Sequence, residues 1–342
     1  MTITLDIEQP DALLTYLRQG GYIETDERPE MLPLRGGVSN RTVLVKRGSG
    51  EAWVIKQALE KLRVPVDWFS SPERVHREAA GLRWLADLAP PGTIPKPVFE
   101  DHHQHLLAMQ AIPQPHENWK TMLLAGKLET DHVRQFGRLL ATIHRRAYER
   151  RSEVAGAFDD RTFFESLRLE PYYGYTAEQV TPAAPFLYAL MDETRARRLT
   201  LVHGDYSPKN ILVYQNRLIL LDHEVIHFGD PAFDLGFSMT HFLSKARHLT
   251  EYRNAFAQAA NFYWQTYRQT LGDLPWAGSL EPFAVRHTLA CLLARVAGRS
   301  PLEYLSPEEK DRQQQAVVRL MSNTPDTISA LIQQVTAQVG LH

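Results

Sequence analysis

HGDYSPKN, residues His203 to Asn210, decides the reading of this chain through its spacing. Asp205 follows the histidine by two residues and precedes the asparagine by five. Beyond it come an apolar run from Ile211 to Val213, a turn at Gln215-Asn216 and a second run from Leu218 to Leu221, ending on Asp222. A β-hairpin of that form brings Asn210 and Asp222 together, two oxygen ligands of the kind a hard divalent cation takes while it holds phosphates. Asp205, on the loop just before, faces the same place. One carboxylate to receive a hydroxyl proton beside an Asn/Asp pair for Mg²⁺ is the layout of a phosphoryl-transfer centre. A polar loop followed by an ordinary hairpin is the alternative, and the ordered set of groups argues against it.

The whole chain sets limits on what that centre can serve. Its 342 residues can bury one large core or two modest lobes, and 44% apolar with 23% charged residues is ordinary for a globular protein. A formal charge of −2 supplies no global basic field for nucleic acid or an anionic membrane. The lone Cys291 lies in the apolar run HTLACLLA and is expected to be a buried small hydrophobe in a reducing compartment. MTITLDIEQPDAL has neither the basic nor the apolar region of a secretory leader, and no apolar run approaches the ~18 residues of a membrane span. The expectation is a cytoplasmic protein.

Working outward, the period of the apolar pattern changes along the chain. Pro10 to Leu17 reads as a short amphipathic helix stopped by Gly20-Gly21. Leu32 to Leu34, Thr42 to Lys46 and Ala52 to Gln57 read as strands, the last two joined at Gly48-Ser49-Gly50. Ser71-Pro72 is expected to open a helix that runs to about Leu88, and Pro97 to Glu100 and His105 to Met109 look like two more strands. Past Ala111-Ile112-Pro113 the pattern turns helical. Asp131 to Arg150, Arg161 to Leu169, Pro185 to Arg198, Phe233 to Leu243, Thr250 to Leu271, Pro282 to Ala297, Glu308 to Met321 and Thr327 to Val339 are the predicted helices. Residues 1–112 are therefore read as a small antiparallel-sheet lobe and 113–342 as a helical lobe, with a cleft between them.

That cleft would need a phosphate cradle and a lysine, and the small lobe offers both. Gly36-Gly37-Val38-Ser39-Asn40 could let backbone N–H groups approach phosphate oxygens, with Ser39 or Asn40 adding a side-chain donor; a hairpin turn is the alternative. In Trp53-Val54-Ile55-Lys56 the lysine points off the strand opposite Ile55, either as a solvated edge residue or toward the cleft. Glu78, on the polar side of the principal helix, could pair with Lys56 and hold its ammonium against the nucleotide phosphates.

These segments resemble the aminoglycoside phosphotransferase and choline kinase superfamily, small-molecule kinases that share the protein-kinase fold. HGDYSPKNILV is similar to the family's HGDxxxxNxLV motif and LLDHE to its IDWE motif. GDPAFDLG resembles GDPxxDLA, GGVSN and VIK match the phosphate loop and strand lysine, and LLATIH resembles the LLAxLH helix. ARVAGRSPLEYL resembles a segment near the C-terminus of bacterial members, so the likeness runs from Gly36 to about Tyr304. It implies an α+β, bilobal protein-kinase-like fold using ATP and Mg²⁺ on a small-molecule hydroxyl acceptor. It implies Asp205 as catalytic base with His203 bracing its loop, Asn210 and Asp222 as Mg²⁺ ligands, and Lys56, oriented by Glu78, as phosphate anchor. Ser39 would lie over the phosphates, Asp234 would accept hydrogen bonds from the catalytic-loop backbone, and backbone groups of Gln110 and Ile112 would meet the adenine.

The chain departs from the family pattern at Ser207, where many members have histidine, at Lys209, where they have glycine, and at His223, where they have tryptophan. Ser207 could donate to a phosphate or the acceptor, and Lys209 is a solvated loop lysine or a stabiliser of transferred charge. Glu224 could touch a second metal site or satisfy a backbone donor. His102, His103 and His105 read as solvated turn residues, having no acidic partner at ligand spacing. Arg295 and Arg299 either bind an anionic group or form a salt bridge. Phe262, Tyr263, Trp264 and Tyr267 read mostly as core.

A protein kinase is disfavoured, because Asp234 follows Asp222 by only twelve positions. A nucleotide-binding pseudokinase with a regulatory role is the alternative from another class. Ten Lys/Arg against eight Asp/Glu from Leu235 to His342 favour a neutral or anionic acceptor over a polycationic one.

Overall fold

The computed structural model describes residues 5–34, 37, 39–63 and 67–337. Alternating apolar residues make the first lobe a five-stranded antiparallel sheet: β1 (Glu30–Pro33), β2 (Asn40–Lys46), β3 (Ala52–Ala58), β4 (Pro97–Asp101) and β5 (Leu106–Gln110), in the order β1-β2-β3-β5-β4. One face packs Val43, Val45, Ile55 and Ala108 against Leu13 and Leu17 of the Pro10–Gln19 helix. The other packs Leu107 and Met109 against Val75, Ala79 and Leu82 of the Arg74–Leu88 helix. That helix begins later than the Ser71-Pro72 pattern predicts. The Ser71 hydroxyl accepts from Glu73 N in a preceding turn, and the residue before the helix, Glu73, is itself in the helical region.

The remainder is mostly helical. The Thr130–Glu149, Pro231–His248, Arg253–Leu271 and Leu280–Ala297 helices surround one apolar core, with Pro231–His248 at its centre and buried from Pro231 through Ala246. Asp230 caps that helix by accepting from Ala232 N at 3.0 Å. Tyr263, Trp264 and Tyr267 are buried and Phe262 packs beside them, as expected of core aromatics, and Cys291 is buried.

Three short strands interrupt the helices: β6 (His116–Asn118), β8 (Ile211–Tyr214) and β9 (Arg217–Leu220), while β7 (Thr200–Val202) pairs with β10 (His227–Gly229). The β8-β9 hairpin turns at Gln215 and Asn216 with φ of 48° and 59°, the left-handed pair a tight two-residue turn requires.

Several expectations change. The predicted helix from Arg161 to Leu169 opens as a short α-helix, Thr162–Phe164, and continues as a wide π-wound stretch, Glu165–Gly174, which runs through Pro171. Unpredicted helices occupy Trp119–Leu124 and Arg151–Phe158. The last helix is Ile328–Thr336, and the end of the predicted segment at Val339 lies outside the described residues, as do Gly36 and Val38 of the glycine loop. The histidine turn does have acidic partners. Glu100 lies 2.6 Å from His76 Nδ1 and 3.3 Å from His102 Nε2, and Glu73 lies 3.5 Å from His105 Nδ1. Glu73 and His76 come from the principal helix and its leading turn, so spacing within the turn could not reveal them. Among the described residues no helix is long and apolar enough to cross a membrane.

Candidate active site

A cleft of about 1060 Å³ runs between the sheet and the helical region. Ser39, Asn40, Lys56, Gln110, Ile112, Asp205, Asn210 and Asp222 all line it, whereas Glu78 and His203 stand behind the lining.

Lys56 projects from the centre of β3, between Thr42 and Leu107 on its neighbours. Its Nζ lies 2.6 Å from Glu78 Oε1 and 3.0 Å from Asp222 Oδ1. The apolar stripe of the Arg74–Leu88 helix fixes that helix on the sheet and so turns Glu78 toward the lysine. Burial works against the ammonium, but Asp222 and Glu78 outweigh it and raise the Lys56 pKa. Asp222 is likewise held below the usual carboxylate range: burial opposes its charge and the Lys56 ammonium prevails. Glu78 is fully enclosed, and burial pushes its carboxyl up against the pull of Lys56. Asp222 adopts φ of 68°, a region costly for a residue with a Cβ and held here by the surrounding contacts.

The loop carrying Asp205 is fixed from behind. Asp234 accepts from the backbone N of His203 at 2.7 Å and of Gly204 at 2.8 Å, and His144 Nε2 lies 3.2 Å from the same carboxylate. Gly204 takes φ of 78°, and a Cβ there would meet Val225 Cγ2 at 2.9 Å, so the sharp turn requires glycine. His203 Nδ1 accepts from Asp205 N at 3.2 Å. Burial lowers the His203 pKa and favours that neutral ring.

Asn210 Nδ2 donates to Asp205 Oδ2 at 2.8 Å and to the Asp205 carbonyl at 3.0 Å. A carboxylate and a carbonyl can only accept, so the amide oxygen of Asn210 is the atom left over, and it has no hydrogen bond among the described residues. Leu221 N donates to the Asn210 carbonyl at 2.9 Å, which places Asn210 beside the strand end that carries Asp222.

Two buried arginines escaped the sequence reading. Arg168, in the π-wound stretch, reaches Asp205 Oδ2 at 2.8 Å and donates to the Gly204 carbonyl at 3.0 Å. Arg74 is fully enclosed and donates to the carbonyls of Ser39 and Leu59 and to Glu224 Oε2, the last at 3.1 Å. It ties the end of the glycine loop to the segment after Asp222. The available signal was an arginine between two leucines, in SLRLEPYY, or at the start of a helix. Glu224 also lies 3.4 Å from Asn40 Nδ2, and Asn40 donates to Ser39 Oγ at 3.1 Å. Lys209 is exposed at the cleft wall. Arg295 and Arg299 line the cleft, and neither has a carboxylate within 4.0 Å among the described residues.

The model of the phosphotransferase enzyme family matches residues 30–270, well over half of the chain, and the chain belongs to that family. This makes it a small-molecule phosphotransferase by class. A macrolide 2'-phosphotransferase of Brachybacterium faecium is similar in structure, at 19% identity over 92% of this chain and 99% of that one, with a TM-score of 0.52. An amicoumacin kinase in complex with AMP-PNP, Ca²⁺ and Ami is 14% identical over 87% of this chain and 89% of that one, with a TM-score of 0.56. A choline/ethanolamine kinase family protein of Mesorhizobium loti is 15% identical over 95% and 98%, with a TM-score of 0.53. At such identities the likeness establishes the fold, the α+β kinase-like architecture. No curated protein gives a significant sequence match.

Proposed function

We propose that this protein is a cytoplasmic kinase that moves the γ-phosphoryl group of ATP to a hydroxyl of a small molecule. The observation that carries the reading is the convergence of Lys56, Asp205, Asn210 and Asp222 on one cleft, each held by a partner from another part of the chain or its own loop. In this reading the acceptor O–H points at Asp205, which takes its proton. The acceptor oxygen bonds to the γ-phosphorus as the bond to the β,γ-bridging oxygen breaks, and ADP leaves. Arg168 and Asn210 fix the carboxylate of Asp205, and His203 and Asp234 fix its loop.

Lys56, oriented by Glu78, binds the α- and β-phosphates, and Ser39 and Asn40 lie over the phosphate chain. Backbone groups of Gln110 and Ile112 meet the adenine; the Ile112 N–H has no protein partner among the described residues, which suits it to a ligand. Residues 1–112 and 113–342 are the two lobes in this reading.

Asn210 and Asp222 would hold Mg²⁺. The donor set fits, since the leftover amide oxygen of Asn210 and the second carboxylate oxygen of Asp222 are hard ligands beside the phosphate-facing lysine. Bound there, the ion would neutralise phosphate charge. The amicoumacin kinase solved with AMP-PNP and Ca²⁺ supports use of a nucleotide and a divalent cation in this fold.

A screen of sugars, amino alcohols, nucleosides and antibiotics with MgATP, reading ADP release, tests the proposal. Acceptor-dependent release that vanishes without the divalent cation is the expected result. Absence of both nucleotide binding and ADP release would overturn it.

A further inference from the structure

We propose that the acceptor carries an anionic group, a phosphate monoester or a carboxylate, held by Arg295 at the end of the cleft beyond Asp205. The inference rests on the phosphotransferase reading above and narrows its substrate class.

Charge bookkeeping along the cleft leads to it. The carboxylates Asp205, Asp222 and Glu224 each already have a cationic partner, Arg168, Lys56 and Arg74 respectively. Glu303 is paired with Lys120. What remains without a carboxylate partner among the described residues is positive: Lys209 near the phosphate end, Arg295 and Arg299 further along. A polycationic acceptor would meet that surplus as repulsion and an anionic one as attraction.

Arg295 is the anchor because its charge is buried and unanswered. It is only 9% exposed, on the Leu280–Ala297 helix. Nη1 donates to the Ser300 carbonyl at 2.5 Å, to Ser300 Oγ at 2.9 Å and to Tyr172 Oη at 3.0 Å, all neutral oxygens, while the enclosed Nε has no partner among the described residues. A guanidinium out of water with only neutral acceptors is an expensive arrangement, and an incoming anion relieves it. Its fork also matches phosphate and carboxylate geometry.

A second buried amine stands nearby. One helix away, Lys245 is completely buried; among the described residues its Nζ has a single long hydrogen bond, 3.4 Å to the His241 carbonyl, and no carboxylate within 4.0 Å. Burial, then the charges of Lys120 and Arg295, lower the Lys245 pKa to about 7. His241 is 4% exposed and lines the cleft beside Phe237.

The placement also suits transfer. The Tyr172 ring has the Arg168 guanidinium 5.9 Å and the Arg295 guanidinium 5.8 Å from its centre, and Arg168 touches Asp205. One aromatic ring therefore borders both the group that holds the proposed base and the group that would hold the anion. A hydroxylated compound of sugar size spans that gap, its hydroxyl at Asp205, its anionic group at Arg295 and its carbon skeleton along Tyr172 and Phe237. The anionic group itself takes no part in the transfer.

The test compares four acceptor sets with MgATP, reading ADP release: sugar phosphates, sugar acids, neutral sugars and amino sugars. Release with sugar phosphates or with sugar acids is expected, and these two arms distinguish phosphate from carboxylate. For the acceptor found, Arg295→Gln should raise KM at least about tenfold, the loss of one charged hydrogen-bonding partner, with KM for ATP unchanged and partial recovery in Arg295→Lys. Release confined to neutral or amino sugars, or an unchanged acceptor KM in Arg295→Gln, overturns the inference while leaving the kinase reading intact. Should no set release ADP, the kinase reading is what suffers, and binding decides the anion site. Inorganic phosphate and malonate are titrated into wild-type protein and Arg295→Gln, both saturated with MgADP. Binding of either probe weakened at least about tenfold by the substitution supports the site, and equal or absent binding in the two proteins overturns it.

Discussion

Arg168 reaches the carboxylate of Asp205 at 2.8 Å, and both side chains are buried. The same guanidinium donates to the Gly204 carbonyl, so one residue fixes both the reactive carboxylate and the bend that presents it. Breaking a buried ion pair leaves a charge without its partner, at a cost of about 3–5 kcal/mol. Arg168→Met should fall near the lower end, because Asn210 still donates to Asp205. Denaturant unfolding of the variant checks this, and a loss below about 1 kcal/mol would mean the pair contributes little to the loop.

Lys56 makes two charged contacts with carboxylates and, in the proposed reading, a third with nucleotide phosphates. Lys56→Ala should weaken ATP binding by roughly 1.5–3 kcal/mol while leaving adenosine affinity nearly unchanged, since in that reading the lysine meets only the phosphates. Calorimetric titration with ATP and with adenosine separates the two. Asp222→Ala should in addition abolish the Mg²⁺ dependence of ATP affinity by deleting an anionic oxygen ligand. An unchanged metal effect in that variant would remove Asp222 from the metal site.

His227 supplies a pH dependence of stability. It is 1% exposed, stacks on Phe164 at 4.0 Å, and burial lowers its pKa from 6.5 to about 4. Between those values the unfolded chain takes up a proton that the folded chain refuses. The contribution is therefore fully present above about pH 6.5 and is lost progressively as pH falls toward about 4, to a limit of roughly 3 kcal/mol. Unfolding free energies measured across that window should decline with a smaller slope in His227→Gln than in the wild type. Equal slopes would contradict the assignment.

Much of this architecture was legible because its signals are local. The Asp205, Asn210 and Asp222 spacing lies within eighteen residues of one loop and hairpin, and the Gln215-Asn216 turn that closes it has its own signature. Lys56 and Glu78 were legible in a second way, through the strand and helix periods that set the direction of each side chain. Arg168 was not, since a π-wound stretch departs from the 3.6-residue period that sets side-chain direction in an α-helix, and its partner lies 37 residues ahead. Arg74 looked like an ordinary helix residue, and its acceptors are mainly carbonyls, which leave no mark in a sequence. The gathering of His76, Glu100, His102 and His105 depends on how the principal helix lies against the β4-β5 turn, a tertiary fact.

Asp205 is the group on which the proposed transfer depends. Asp205→Asn keeps an acceptor oxygen for Arg168 and Asn210, so the loop should hold its shape while the proton acceptor is lost. General-base catalysis contributes on the order of 10²–10⁴-fold, and single-turnover phosphoryl transfer to the acceptor found by screening should fall by that amount. ATP affinity, measured on the same preparation, should stay close to the wild-type value. Near-normal transfer in Asp205→Asn would contradict the assignment and take Asp205 out of the mechanism.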